Sequence, residues 1–91
     1  MPTTTVIQEL TAYIEKEILK EEDAGIEPDT PLLEYGILDS ISTARLVAFA
    51  ESHFGITIAA DKVLGRNFRD LRSIAALVTG IIEADQLAER G

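Results

Sequence analysis

The sequence predicts an all-α chain, a four-helix bundle with a long ordered loop after the first helix and a short third helix. Three observations predict it. Apolar residues recur every three or four positions in three stretches, from Val6 to Ile18, Leu46 to Phe54 and Ile74 to Ile82, the spacing of one helical face. The one alternating stretch, Ile56-Thr57-Ile58, is too brief for a strand and has no clear pairing partner, so it reads as extended linker. Ninety-one residues, 46% of them hydrophobic and none cysteine, give one small domain that folds around a single core without disulfides. The whole chain, 1–91, is read as that domain, with 1–3 and 86–91 expected to fray.

Taken in order, the first helix starts among Thr3–Thr5, where Thr5 and Gln8 are spaced as a capping box. Ile7, Leu10, Ile14 and Ile18 form its inner stripe, with Val6 and Tyr13 beside them. Glu21-Glu22-Asp23 and Gly25 end it. A loop of roughly fourteen residues follows, a length that in a compact domain is functional or disordered. Ile26, Leu32, Leu33, Ile37 and Leu38 are placed to pin it to the core, which favours order. The second helix is expected from Ser40 to Phe54, with Gly55 as terminator. Its wheel puts Leu46, Val47, Ala50 and Phe54 on one side. Ile41, Ala44 and Ala48 fall nearly opposite, with Arg45 and Ser52 among them. A short helical turn near Ala60–Leu64 stops at Gly65, and Asn67 caps another turn holding Phe68 and Leu71. The last helix is expected from Arg72 or Ser73 to Ala84. Ile74, Leu77, Val78, Ile81 and Ile82 line its buried side, and Gly80 is placed to allow close packing on the first helix.

Charge is unevenly spread. The net charge of −8 lies wholly in residues 1–39, which hold ten acids and two lysines, whereas residues 40–91 hold six of each sign. Phosphate backbones need a basic surface, so nucleic acid is excluded as a partner. Basic protein partners, or solubility alone, account for the acidic first helix. No long apolar run or basic leader marks a membrane span or signal peptide, which makes a cytoplasmic setting the expectation. Arg66, Arg69 and Arg72 form either a basic contact patch or solvated charges paired with the first helix. Arg45 is either a partner-selecting charge or one bridged to Asp39 or Glu51.

The chemistry concentrates at Gly36-Ile37-Leu38-Asp39-Ser40-Ile41. Both Asp and Ser favour helix starts, so the pair by itself is compatible with plain capping. The longer pattern DTPLLEYGILDSISTARLVAFAESHFGI, residues 29–56, together with the preceding helix and the closing NFRDLRSIAALV segment, resembles the acyl and peptidyl carrier proteins. The resemblance implies the acyl-carrier bundle fold. It makes Ser40 the attachment residue for 4′-phosphopantetheine, Asp39 the acid that assists transfer, and Gly36 the loop glycine. Ile41, Ala44, Arg45 and Ala48 become the docking strip. It also implies the partners: a phosphopantetheinyl transferase, an acyl- or aminoacyl-loading enzyme, and downstream synthase or tailoring enzymes. The chain itself is then a monomeric substrate of other enzymes, holding thioester intermediates. Fatty-acid carriers usually have an acidic second helix at the partner-facing side. Here Ile41-Ser42-Thr43-Ala44-Arg45-Leu46 has an arginine and no acid, which points to a free-standing carrier for polyketide, nonribosomal peptide or related biosynthesis. The alternative is an unmodified acidic adaptor with the carrier fold.

Catalysis by Ser40 itself lacks a base. The only histidine, His53, lies about 20 Å along the same helix at 1.5 Å per residue. The loop acids do not match an EF-hand and no glycine-rich phosphate loop is present, so neither a resident metal nor a nucleotide site is expected.

Overall fold

A computed structural model describes residues 2–63 and 65–90, without the side chains of Glu89 and Arg90. The expected turn end at Leu64 and the outermost residues of the expected frayed ends, Met1 and Gly91, lie outside the described residues. The first helix, α1, spans Thr3–Tyr13 and widens into a π-helical turn over Ile14–Leu19. The second, α2, spans Ser40–Phe54, with the bounds expected from sequence. Two single 3₁₀ turns, Ala60–Lys62 and Gly65–Asn67, stand where the short third helix was expected. The last helix, α3, runs Leu71–Arg90. No strand occurs among the described residues.

α1 packs mainly on α3 and more lightly on α2. Val6, Leu10 and Ile14 meet Leu46 and Ala50 of α2 and Leu71, Ile74, Ala75 and Val78 of α3 in one buried cluster. Ile56 and Ile58 point into that cluster while Thr57 stays exposed. This alternation does not make a strand because the Ile58 amide donates to the Glu51 carboxylate at 2.8 Å. The linker is thereby tied back to α2, with a side chain serving in place of a neighbouring strand.

Several expectations are corrected by local chemistry. No capping box forms at the start of α1. Pro2 stands at the N-cap, and the Val6 amide donates to its carbonyl at 3.2 Å. Thr5 therefore already lies inside the helix. The helix ends at Leu19, before the acidic run, because Lys20 turns left-handed and the Glu21 amide closes on the Glu15 carbonyl at 2.8 Å. α3 begins at Leu71, capped by Asp70, whose carboxylate accepts from the Ser73 amide at 2.8 Å. Asn67 instead donates to the Lys62 carbonyl, tying the two 3₁₀ turns together. α3 also continues past Ala84 to Arg90, through residues that are mostly good helix formers.

Asp70 is the one buried charged side chain among the described residues. Burial pushes its carboxyl up, but hydrogen bonds from Ser73 and the charges of Arg69 and Arg72 outweigh that, leaving it below 3.8. Its stabilising effect is therefore complete above 3.8 and fades as pH falls through the lower folded value. Replacing a capping Asp by Ala costs about 1 kcal/mol. Asp70→Ala should lower stability by that amount at pH 7, and urea titrations should show the gap to wild type closing at strongly acidic pH.

Gly80 does not serve close packing. It is exposed, and a Cβ built there meets nothing within 4 Å. Glycine inside a helix costs about 1 kcal/mol relative to alanine. Gly80→Ala should thus raise Tm by roughly 4–8 °C, the shift that 1 kcal/mol produces in a domain of this size.

Candidate functional site

The long loop delivers Asp39 and Ser40 to the head of α2. Leu32 is buried, and its amide donates to the Arg69 carbonyl at 2.8 Å, while the Arg72 amide donates to the Pro28 carbonyl at 2.9 Å. The loop is therefore stitched to the segment leading into α3. Its chain then reverses at Gly36, whose φ of 72° lies in the left-handed region that glycine adopts without strain. The amides of Ile37 and Leu38 both return to the Leu32 carbonyl, at 2.9 and 3.1 Å. Leu38 enters the core, and the next two residues are thereby held at the surface. Leu33, expected to pin the loop, instead faces outward as part of the same turn and is exposed.

Asp39 is the N-cap of α2. Its carboxylate accepts from the Ser42 amide at 2.8 Å, and its carbonyl accepts from the Thr43 amide at the same distance. Hydrogen bonds from the Ser42 backbone, then from the Ser42 side chain, and a weaker one from the Ile41 amide hold its carboxyl below 3.8. It is a fixed anion at neutral pH. Ser40 is the first residue of the helix and is exposed. Helix geometry leaves the first-turn amides without carbonyl partners, so those that Asp39 does not take face the ground beside the Ser40 hydroxyl.

An open groove of about 520 Å³ adjoins this corner, lined by Leu33, Asp39, Ser40, Thr43, Ala44, Val63, Gly65 and Phe68. Its walls are apolar except at the Asp39–Ser40 end. The Leu33 Cδ1 stands 3.7 Å from where a Cβ on Gly65 would be, so the loop and the 3₁₀ turns face each other closely across it. Leu33, Thr43, Val63 and Phe68 are groove residues that sequence reasoning did not assign to a site. The only signal of Leu33, Val63 and Phe68 was an apolar character that fitted the core equally well, and Thr43 carried none.

The other candidate residues divide between this groove and its surroundings. Ala44 lines the groove. Ile41 projects outward with 73% exposure. Arg45 and Ala48 border a second, shallower cleft with Tyr13, Phe49, Ser52 and His53. Arg45 bridges neither Asp39 nor Glu51: no carboxylate lies within 4 Å of it among the described residues, and Glu51 is engaged by Ile58. Arg66, Arg69 and Arg72 likewise make no pair with α1 among the described residues, and Arg69 only approaches Asp70 at 3.9 Å.

His53 belongs to the far end of α2. Its Nε2 is 3.2 Å from the Glu9 carboxylate, and its ring stacks on Phe49, which stacks on Tyr13 with centroids 4.9 and 4.3 Å apart. It ties α1 to α2 and supplies no base to Ser40. Among the described residues no group of three or more His, Asp or Glu side chains is placed to hold a metal. No described helix is long and apolar enough to cross a membrane.

The chain matches the family described as "Phosphopantetheine attachment site" over residues 8–81. It is 32% identical to a probable acyl carrier protein, PigG, of Serratia sp., over 76% of this chain and 79% of that one. It is 40% identical to a D-alanyl carrier protein of Bacillus licheniformis, over 58% of this chain and 62% of that one. A solved structure described as that of a FAD-dependent dehydrogenase contains a chain that superposes with a TM-score of 0.70 at 30% identity, covering 76% of this chain and 97% of that one. Members of the family carry covalently attached 4′-phosphopantetheine and work with phosphopantetheinyl transferases and with loading or synthase enzymes. A presented serine beside an open apolar groove suits an arm of that chemistry, and with the sequence match spanning most of the chain, this protein belongs to the phosphopantetheine-binding carrier family.

Proposed function

We propose that the chain is a carrier, esterified on the Ser40 hydroxyl with 4′-phosphopantetheine, which holds acyl or aminoacyl intermediates for a specialised biosynthetic pathway. The single observation that carries this reading is the exposed Ser40 at the first position of α2, opening onto the groove. The arm supplies a terminal thiol on which cargo rides as a thioester. The chain has no cysteine of its own to do so.

The chain's residues have distinct parts. Ser40 offers the nucleophilic oxygen, and the base that takes its proton belongs to the transferase, because His53 is remote. Asp39 keeps α2 capped and holds a negative charge next to the reacting oxygen, suited to a magnesium ion or a basic residue brought by that enzyme. The positive end of α2 and the Ser40 amide, the one that Asp39 leaves over in the first turn, favour a phosphodiester there. Leu33, Val63 and Phe68 provide apolar walls that would be open to the tether or its cargo between visits to partners. A tether of fixed length then raises the cargo's effective concentration at each enzyme visited.

The relatives' names support both kinds of cargo, acyl and D-alanyl. The match to a chain in a structure described as a FAD-dependent dehydrogenase supports a flavin enzyme among the tailoring partners. Ile41, Ala44, Arg45 and Ala48 form the docking strip on this reading. A cytoplasmic setting goes with it, since coenzyme A donates the arm.

Incubation with coenzyme A, magnesium and a broad-specificity phosphopantetheinyl transferase tests the proposal. Intact mass should rise by one arm and no more. No addition under conditions that fully modify a control carrier would overturn it, leaving the unmodified adaptor.

A further inference from the structure

The face of α2 beside Ser40 combines apolar exposure with one cation, Arg45. Among the described residues four large hydrophobic side chains are exposed, and three of them lie at this end: Leu33, Tyr35 at 68% and Ile41 at 73%. Leu33 and Tyr35 sit on the turn that precedes α2, and Ile41 sits on its first turn. Ala44 and Ala48 continue the face along the helix, both exposed. Arg45 stands among them, exposed and without a carboxylate within 4 Å among the described residues.

The charge of the rest of the molecule does not reach this spot strongly. Asp39 lies six residues back, about 9 Å along the axis at 1.5 Å per residue. That is about one Debye length at physiological ionic strength. Its carboxylate is also already engaged by the Ser42 amide. Glu51 is bonded to Ile58, and Glu9 is paired with His53. A partner approaching α2 therefore meets, over residues 41–48, an apolar strip on which Arg45 is the one charged side chain, with Glu34 standing apart on the preceding turn, although the chain as a whole carries −8.

We propose that this face docks an amphipathic helix of a partner enzyme, apolar along its contacting stripe and bearing a glutamate or aspartate that meets Arg45. The strip from Ile41 to Ala48 is about 10 Å long at 1.5 Å per residue. Its alanines allow a second helix to pack at the 8–10 Å separation usual for such pairs. A basic partner helix is disfavoured at the same place by like charge, so Arg45 selects as well as attracts. This deepens the carrier reading, on which the identity of the face as a docking surface rests.

The test uses the full chain, with its arm and as Ser40→Ala, isotopically labelled for amide NMR. Two synthetic helical peptides serve as probes, with one shared leucine stripe and either glutamates or lysines flanking it. The glutamate peptide should shift the amides of residues 41–48 and of Leu33 and Tyr35. It should bind that face about 1.5- to five-fold more tightly than the lysine peptide, the range expected of one surface ion pair. Arg45→Gln should level the two peptides, and Arg45→Glu should reverse their order. Ser40→Ala should bind as wild type, so a failure to attach the arm does not alter the result. Equal or tighter binding of the lysine peptide at this face overturns the proposal. So do an unchanged preference in Arg45→Glu and the absence of shifts at millimolar peptide. Self-association through this face, seen as the same shifts on raising protein concentration alone, would overturn it in favour of a second copy as occupant.

Discussion

Ser40→Ala should abolish attachment of the arm while leaving the fold intact. Ser40 is exposed and no side-chain hydrogen bond among the described residues involves its hydroxyl. The cap of α2 is provided by Asp39, and alanine is tolerated inside a helix at least as well as serine. Stability should stay within about 0.5 kcal/mol, as for surface substitutions away from special features. Intact mass after transferase treatment should equal that of the untreated variant, and the circular dichroism spectrum should overlay that of wild type. Loss of helicity would mean that Ser40 helps hold the head of α2, and the missing arm would then say nothing about attachment.

The second large effect is at Phe68. It is among the largest fully buried side chains and also lines the groove beside Ser40. Its amide closes the turn on the Gly65 carbonyl at 3.2 Å, so the ring enters the core from the segment that forms the far wall. Truncating a buried phenylalanine to alanine typically costs 3–5 kcal/mol, so Phe68→Ala should lose about that much. For a domain of this length, total stability is on the order of 5–14 kcal/mol. The variant should therefore melt at least about 12 °C lower, by the scaling of Tm with stability in small domains. Phe68→Leu keeps most of the apolar volume and should recover the larger part of the loss. A variant that melts within a few degrees of wild type would show that the ring contributes little to the core.

The parts of the molecule legible in the sequence are those set by local chemistry. α2 was bounded correctly because an Asp-Ser start and a glycine stop both act within a few residues: Asp39 bonds Ser42, and Gly55 turns left-handed. The buried Ile56 and Ile58 were placed as linker because three residues cannot pair alone. What escaped the sequence depends on distant neighbours or on weak local competition. The π-helical turn at Ile14–Leu19 has no residue signature in this chain. Asp70 does not stand out as a cap because the expected start of the last helix, Arg72 or Ser73, falls one or two residues late and leaves Asp70 inside the preceding turn. Leu33 fitted the core by composition, yet the buried Leu32 and Leu38 hold the turn so that Leu33 faces outward. The groove could not be read at all, since its facing walls come from Leu33 and from Val63, Gly65 and Phe68, brought together only by folding. Asp39 and Ser40 were visible in the sequence as a pair at a helix start, but the apolar ground they face was not.

The central claim is that the Ser40 oxygen is the tethering point. Electron-transfer fragmentation of the arm-bearing chain reads this directly, because it cleaves the backbone and leaves the side-chain phosphodiester in place. The arm should appear only on fragments containing Ser40. Its appearance on Ser42, Thr43 or any other side chain would contradict the account.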